Sequence, residues 1–234
     1  MTLSGKQREM NQDKLVSRKI ITIDGPAGAG KSTIARLVAK KIGYEYLDTG
    51  AVYRTISYHL SRILIPPVES EDLASALENC IITLRDGRVL LEGEDVSGSI
   101  RSQEVDRIVS AYSALPTVRR FLMRIQREQA GNADIVADGR DMGSVVFPEA
   151  SVKIYLDASL AVRAKRRWKE LADRGIEATY EEIMREIEER DRMDSAREIS
   201  PLRVPEGARI IETSDMNVES VAEEILGIIE SRAG

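Results

Sequence analysis

The sequence predicts an α/β fold, a parallel sheet of about five strands with helices on both faces and two excursions from that plan. Three observations predict it. The chain opens with an apolar run, a glycine-rich turn and a helical stripe; apolar runs and helical stripes then alternate along most of its length; one hairpin signal interrupts the alternation. With 234 residues, 42% of them hydrophobic and 31% charged, the chain can bury one core and still carry a sizeable insertion.

Residues 1–18 are polar, lack the apolar core of a signal peptide and read as a flexible N-terminal tail before a domain over 19–234. Lys19–Asp24 (KIITID) is a short apolar run closed by Gly-Pro, hence a buried strand. Ile34, Leu37, Val38 and Ile42 then mark one face of a helix over Ser32–Ile42, stopped by Gly43. Tyr46–Asp48 reads as a second buried strand, and Val52, Ile56, Leu60 and Ile63 as a helix halted by Pro66-Pro67. Between Ser70 and Ser113 the texture changes. Ile81–Leu84 and Val89–Glu92 flank Arg85-Asp86-Gly87-Arg88, and Asp-Gly between apolar runs signals an antiparallel hairpin, so an inserted subdomain is expected.

The α/β rhythm then returns. A helix covers Pro116–Ala130, and a strand at Ile135–Ala137 leads into Asp138-Gly139-Arg140-Asp141. Val152–Leu156 is a strand followed by a helix over Leu160–Ala172. Thr179 and Glu182 form a capping box for a helix starting near Tyr180. Ile210-Ile211 and Val218–Ile229 supply the last strand and helix.

Composition excludes several classes of function. The net charge is −5 and the pI about 5.3, which argues against a nucleic-acid or membrane-surface binder. Aromatic residues at 4% are too sparse for base-stacking platforms. Cys80 is alone, so neither a disulfide framework nor a thiolate zinc site is available. No apolar run approaches the roughly 18 residues of a membrane span. A cytoplasmic protein is expected, and nothing in the sequence demands more than a monomer. His59 lies mid-helix away from every motif, and Cys80 precedes a strand; both read as packing residues.

The strongest chemical signal is Gly25-Pro26-Ala27-Gly28-Ala29-Gly30-Lys31-Ser32, which fits G-x-x-x-x-G-K-[ST] with a strand before it and a helix after it. Glycines let backbone N–H groups converge on phosphates, and the helix N-terminus adds its positive end. In this pattern Lys31 bridges the β- and γ-phosphates of ATP, and the Ser32 hydroxyl holds Mg²⁺. A guanine-reading N-K-x-D tetrapeptide is absent, which argues against a GTPase. Leu3-Ser4-Gly5-Lys6-Gln7 only faintly echoes the transporter ATPase signature and lies on the wrong side of the phosphate loop.

A second anionic substrate is indicated by arginines beside turns. The chain has 25 Arg against 9 Lys, most of the Arg between Arg101 and Arg203. Arginine grips phosphate and carboxylate bidentately. Arg54 follows Asp48-Thr49-Gly50 with Tyr53 beside it, and Arg140 sits between two aspartates just after a strand. Arg190, Asp194 and Arg197 are spaced 4 and 3 apart and share a face if their helix extends that far, continuing the apolar stripe of Ile183 and Ile187. That stripe reads either as an anion grip or as a core face running into an exposed, salt-bridged end.

Taken in order, IDGPAGAGKST, YLDTGAVYR, LEGEDVSGSIRSQEV, ADGRDMGSVVFPEA, VKIYLDAS and ERDRMDSAR make the chain resemble the bacterial cytidylate kinase family over about residues 19–234. The first motif is generic, whereas LEGEDVSG and DGRDMGSVVFP are distinctive. The resemblance implies the P-loop nucleoside monophosphate kinase fold, with a monophosphate-binding part and insert over about 49–113 and a helical lid over about 163–197. It implies ATP-dependent, Mg²⁺-assisted phosphorylation of CMP and dCMP in pyrimidine nucleotide metabolism. It places cytosine-reading groups at Ser110, Arg119 and Asp141, and groups near the ribose and acceptor phosphate at Thr49, Tyr53, Arg54, Arg140, Arg190, Asp194 and Arg197. The ATP loop falls on Gly25–Thr33, and Lys31, Arg140 and Arg190 take the catalytic roles. Thr49 stands where serine is common, Val52 where isoleucine or methionine is usual, and Met193 where a charged residue often sits.

The chemistry fits this residue set. Phosphoryl transfer to a phosphate monoester needs positioning and charge neutralisation, and no general base, because the acceptor's second pKa is about 6. Asp141 suits cytosine N4 as an acceptor, while Arg119 suits O2 and N3 as a donor. The Arg-rich stretch Arg163–Arg174, with Gly175 as a hinge, suits a lid that excludes water from the γ-phosphate. Two other readings stay open: a kinase of another small anionic acceptor, UMP first, and a nucleotide-sensing module without turnover.

Overall fold

Residues 18–85 and 87–233 are described by a computed structural model. The expected tail over 1–18, apart from Arg18, lies outside these residues, as does Asp86 of the hairpin turn.

The apolar runs assemble a wholly parallel sheet in the order β2–β6–β1–β7–β8. Its strands are β1 (Ile20–Asp24), β2 (Glu45–Asp48), β6 (Ile135–Gly139), β7 (Val152–Asp157) and β8 (Arg209–Glu212). Pairings such as Asp24 with Gly139 and with Tyr155, and Asp48 with Asp138, align the carboxyl ends of the central strands at one edge. Ligands of open α/β sheets bind at that edge. β1 lies in the middle and is buried throughout. β2 pairs on one side only, so it is an edge strand in which only Leu47 is buried, not the fully buried strand its short apolar pattern suggests.

Alternation along β1 divides the core. Ile21 and Ile23 pack with Val136, Val152, Ile154 and Leu156 beneath helices α1 (Lys31–Ile42) and α8 (Val218–Ala233). Ile20 points to the other face, among Ala137, Met142, Phe147 and Ala130, the last from α5 (Pro116–Ala130). The same alternation places Asp138 on the α1 side and Asp24 on the opposite one. Buried, chemically demanding side chains therefore stand at both faces of the functional edge.

The first excursion has its own core. Helix α2 (Thr49–Arg62) is N-capped by Asp48, whose carboxylate accepts from Ala51 N at 2.9 Å. It stops at Arg62, four residues before Pro66, because Leu64 takes a left-handed conformation (φ 60°) and Ile65 N–H returns to Leu60 O. Ile63 consequently leaves the buried stripe and is exposed. After α3 (Glu71–Glu78), strands β3 (Ile82–Arg85) and β4 (Arg88–Leu91) form the expected antiparallel hairpin, and β5 (Glu94–Asp95) adds a third strand. A short 3₁₀ turn precedes α4 (Gln103–Ala114), which returns the chain to α5. Val52, Ile56, Leu73, Val89, Ile100, Tyr112 and Leu122 close this core.

The second excursion is a helical hairpin, α6 (Leu160–Asp173) and α7 (Tyr180–Ser195), joined through Gly175 at φ 69°. The Thr179–Glu182 capping box forms as the sequence predicts. Ile183, Ile187, Ala164 and Leu171 pack together and reach Ala27 at the tip of the β1–α1 loop. Among the described residues no helix is long and apolar enough to cross a membrane.

Gly25, where β1 passes into this loop, has φ 148°, and a Cβ there would lie 2.1 Å from Leu156 O. Gly25→Ala is therefore expected to lower the unfolding free energy by about 2–4 kcal/mol. Gly43→Ala, with φ 73° and nothing within 4 Å, should cost only about 1 kcal/mol. Urea unfolding of the two variants side by side checks the ranking.

Candidate active site

The loop Gly25–Gly30 reverses the chain through left-handed glycines at Gly28 (φ 77°) and Gly30 (φ 84°) and delivers it into α1. Gly30 caps α1 with no side-chain hydrogen bond, so the first-turn N–H groups remain directed outward, the arrangement that attracts phosphate. Lys31 is buried and folds back to donate from Nζ to Pro26 O at 2.6 Å. Burial, followed by the positive charge of Arg140, pulls its pKa well below the usual ammonium range. Ser32 Oγ donates to Asp138 Oδ2 at 2.8 Å, and Tyr46 OH donates to Asp138 Oδ1 at 2.7 Å. Burial, then the nearby Asp48 charge, raises the Asp138 pKa. Thr33 is exposed on the first turn of α1.

The residues expected on the acceptor side converge on the same edge from several elements. Arg140, just past β6, donates to Gly25 O at 3.0 Å and pairs with Asp194 at 2.8 Å. Asp194, on α7, also pairs with Arg197. Burial alone would raise the Asp194 pKa, but Arg140, Arg197 and Arg190 outweigh it and hold the carboxyl below its ordinary value. Arg190 has no ion pair among the described residues, and its buried Nε lacks a hydrogen-bond partner. Burial and then the Arg140 charge lower its pKa to about 10. The Nε atoms of Arg119 and Arg197 are buried and unpartnered as well. Orphaned guanidinium donors facing one another through so few carboxylates fit an anionic ligand.

Beside this cluster lies a second group of buried polar side chains. Arg119 and Asp141 are both almost wholly buried, with Arg119 Nη1 3.6 Å from Asp141 Oδ2. Arg119 Nη1 also donates to Tyr53 OH at 2.7 Å, its guanidinium stands over the Tyr53 ring, and its Nη2 donates to Ser200 O. Burial and then the Asp141 charge raise the Tyr53 pKa to about 12. Ser110 is buried nearby on α4, where its carbonyl accepts from Ser113 Oγ, and Arg197 Nη2 donates to that same Ser113 Oγ at 3.1 Å. Thr49 is buried and its hydroxyl donates to Asp138 O, which ties the start of α2 to β6. Arg54 pairs with Asp106 at 2.5 Å. Helix α7 ends at Ser195, so Arg197 follows its C-cap residue instead of lying on the helix, yet it still reaches Asp194.

Several residues of the site carry no signal in a single sequence, or a weak one. Asp191 Oδ1 accepts the Ala27 N–H at 2.9 Å, while Arg163 donates to Ala27 O at 2.9 Å and pairs with Asp191. Helices α6 and α7 thus hold both backbone groups of Ala27, on successive peptide units of the phosphate loop. Asp191 sits one position after Arg190, where attention to the arginine stripe passes over it. Ser200 adopts φ 56° and offers its carbonyl to Arg119, although it precedes a proline and nothing in its composition announces the role. Asp24 ends a strand of wholly buried residues and accepts from Met142 N and Gly143 N, both at 2.8 Å. A charge closing an apolar strand is the one visible hint. These bonds hold the π-helical turn Met142–Val146 that follows Arg140-Asp141.

Comparison with known proteins bears on this geometry. Residues 21–231 match the sequence model of the family described as cytidylate kinase. The chain belongs to the cytidylate kinase family. It is accordingly a kinase, a phosphotransferase with a nucleotide-binding P-loop. A cytidylate kinase of Fervidobacterium nodosum is 46% identical over 212 residues, 91% of this chain and 96% of that protein. The cytidylate kinase of Caldanaerobacter subterraneus subsp. tengcongensis is 46% identical over 205 residues, 88% and 92% of the two chains. Among solved structures, an uncharacterized protein from Eubacterium ventriosum aligns over 92% of this chain and 99% of its own with a TM-score of 0.52. At 12% identity it shares the fold alone.

Asp24 is expected to make the stability of this cytidylate kinase family member depend on pH. Burial raises its carboxyl from 3.8 to about 7, against the lowering by the two N–H donors. The native state therefore holds this proton more tightly than the unfolded chain, so the contribution is complete below about pH 4 and lost as pH rises through about 7. Asp24→Asn, which cannot ionise, is expected to flatten the decline in urea-unfolding stability measured between pH 4 and 8. An unchanged slope would remove Asp24 from this role.

Proposed function

We propose that the chain transfers the γ-phosphoryl group of ATP to CMP and dCMP. One observation carries the reading. Lys31 of the phosphate loop shares a single electrostatic environment with Arg140 and Arg190, and Arg190 keeps a buried donor without a partner. A donor-phosphate grip and an acceptor-phosphate grip thus meet at one point. Kinase chemistry needs that juxtaposition.

In the reading we favour, the N–H groups of Gly25–Thr33 and Lys31 hold the donor phosphates, and Ser32 holds Mg²⁺ with Asp138 behind its hydroxyl. Among the described residues no three His, Cys, Asp or Glu side chains gather as a metal cage. That suits an ion that takes most of its ligands from water and substrate phosphates. Bound there, Mg²⁺ supplies charge neutralisation on the phosphates. Arg54, Arg140, Arg190 and Arg197 orient the acceptor phosphate, and Asp194 fixes Arg140 and Arg197. An acceptor phosphate oxygen forms the new P–O bond, the bond to the β–γ bridging oxygen breaks, and ADP leaves with that electron pair. No side chain removes a proton, because the acceptor phosphate is already largely ionised at pH 7.

The buried Arg119–Asp141 pair supports cytosine as the base. Asp141 accepts from the N4 amino group, Arg119 donates to the ring acceptors, and Ser110 stands nearby; Thr49 and Tyr53 flank the ribose side. Uracil presents an acceptor to Asp141 and leaves a buried mismatch of about 1–3 kcal/mol. We read 49–113 as the acceptor-binding part with its insert and 163–197 as the lid.

The test is ADP release from MgATP with CMP, dCMP, UMP, AMP, GMP and shikimate offered separately. Strong turnover with CMP and dCMP and weak turnover with UMP are expected; preference for any other acceptor overturns the base-reading trio. Asp141→Ala should lower kcat/KM for CMP at least tenfold more than that for UMP, whereas equal losses would contradict its role. Lys31→Ala should reduce kcat by about 10³-fold or more while the protein remains folded.

A further inference from the structure

We propose that Asp106 is a positioning residue for the acceptor, a carboxylate on α4 that aligns Arg54 and clasps it to Arg167 of the lid helix α6. The inference rests on the kinase reading above and adds to it a residue outside its set of ligand-binding groups. Asp106 Oδ1 lies 2.5 Å from Arg54 Nη2, and Asp106 Oδ2 lies 3.0 Å from Arg167 Nη2. One carboxylate therefore binds two guanidinium groups, one from α2 and one from α6, with a different oxygen for each. Asp106 is Arg54's only ion-pair partner among the described residues, and its other anchor is a long bond from Nη1 to Ile100 O at 3.4 Å. Arg190 feels both the Arg54 and the Asp106 charge, so the clasp borders the acceptor-phosphate cluster.

The physical consequence has two parts. An arginine at the mouth of a site, with about a fifth of its side chain exposed, has many rotamers to lose on binding, and a fixed carboxylate removes that loss in advance. The second oxygen makes the same carboxylate a tether for the lid. Arg167 is also held within α6 by Glu170 at 2.7 Å, so tension on Arg167 is transmitted to the helix. A parallel bond from Arg174 Nη2 to Arg101 O at 2.9 Å joins the same two parts of the molecule. Loss of Asp106 alone should therefore loosen the lid without detaching it.

Steady-state kinetics of Asp106→Asn tests the first part. KM for CMP is expected to rise about tenfold while KM for ATP changes by less than about twofold, with Asp106→Glu recovering most of the loss. In an Arg54→Ala background the same substitution should cost less than about twofold, because the group it orients is gone. An unchanged KM for CMP, an equal rise for ATP, or the full tenfold loss repeated without Arg54 would overturn the assignment. Failure of the wild-type protein to phosphorylate CMP would instead sink the functional reading. The clasp is then judged by hydrogen exchange of the unliganded protein. Faster exchange in 160–173 of Asp106→Asn is expected, and unchanged exchange there overturns the tether.

Discussion

The buried arginine cluster depends on one carboxylate. Asp194 is almost fully shielded from water and stands between Arg140 and Arg197, with Arg190 close enough to help depress its pKa. Three guanidinium groups at such range repel one another strongly in a weakly polar interior. Asp194 neutralises enough of that charge to let them gather, but not all of it. Removing one partner from a buried ionic group leaves uncompensated charge and costs about 3–5 kcal/mol, so the cluster stands or falls as a unit. What remains after Asp194 is a local excess of positive charge with buried, unpaired Nε atoms on Arg190 and Arg197.

The same economy runs through the phosphate loop. Lys31 rests its ammonium on Pro26 O, a neutral carbonyl, and burial disfavours its charge. Asp24 and Asp138 are buried carboxylates with raised pKa values at the ends of adjacent strands, one on each face of the sheet. Each is held by donors that shape the site: Met142 and Gly143 N–H for Asp24, Ser32 and Tyr46 hydroxyls for Asp138. The desolvation of these charges at one sheet edge is met during folding.

The α6–α7 hairpin contacts both the phosphate loop and the α4 region. Through Asp191 and Arg163 it holds the N–H and the C=O of Ala27 in the phosphate loop. Through Arg167, Arg174 and Arg197 it reaches α4 and the turn before it. This helical hairpin packs through Ile183, Ile187 and Leu171 and is held elsewhere mainly by ion pairs and hydrogen bonds. Those of Arg163 and Asp194 are buried, whereas those of Arg167 and Arg174 are partly exposed and individually weaker.

The sequence by itself determined the parallel α/β framework, the hairpin in the insert, the phosphate loop and the arginine-rich set facing it. These rest on local rules: two-residue and 3.6-residue periodicity, glycine at left-handed positions, Asp-Gly at a turn, and motifs whose spacing is itself the geometry. Only the tertiary structure decided that β2 is an edge strand, that the helix after Thr49 ends at Arg62 and not at Pro66, and that Thr49's hydroxyl is taken by Asp138 O. It alone showed which carboxylate serves which arginine. Arg54 meets Asp106 across 52 positions, and Arg163 meets Asp191 across 28; no local pattern encodes either. Ion-pair partners are chosen by which side chains the packed core brings within a few ångströms in a shielded place. That is a property of the assembled layers and not of any stretch of chain.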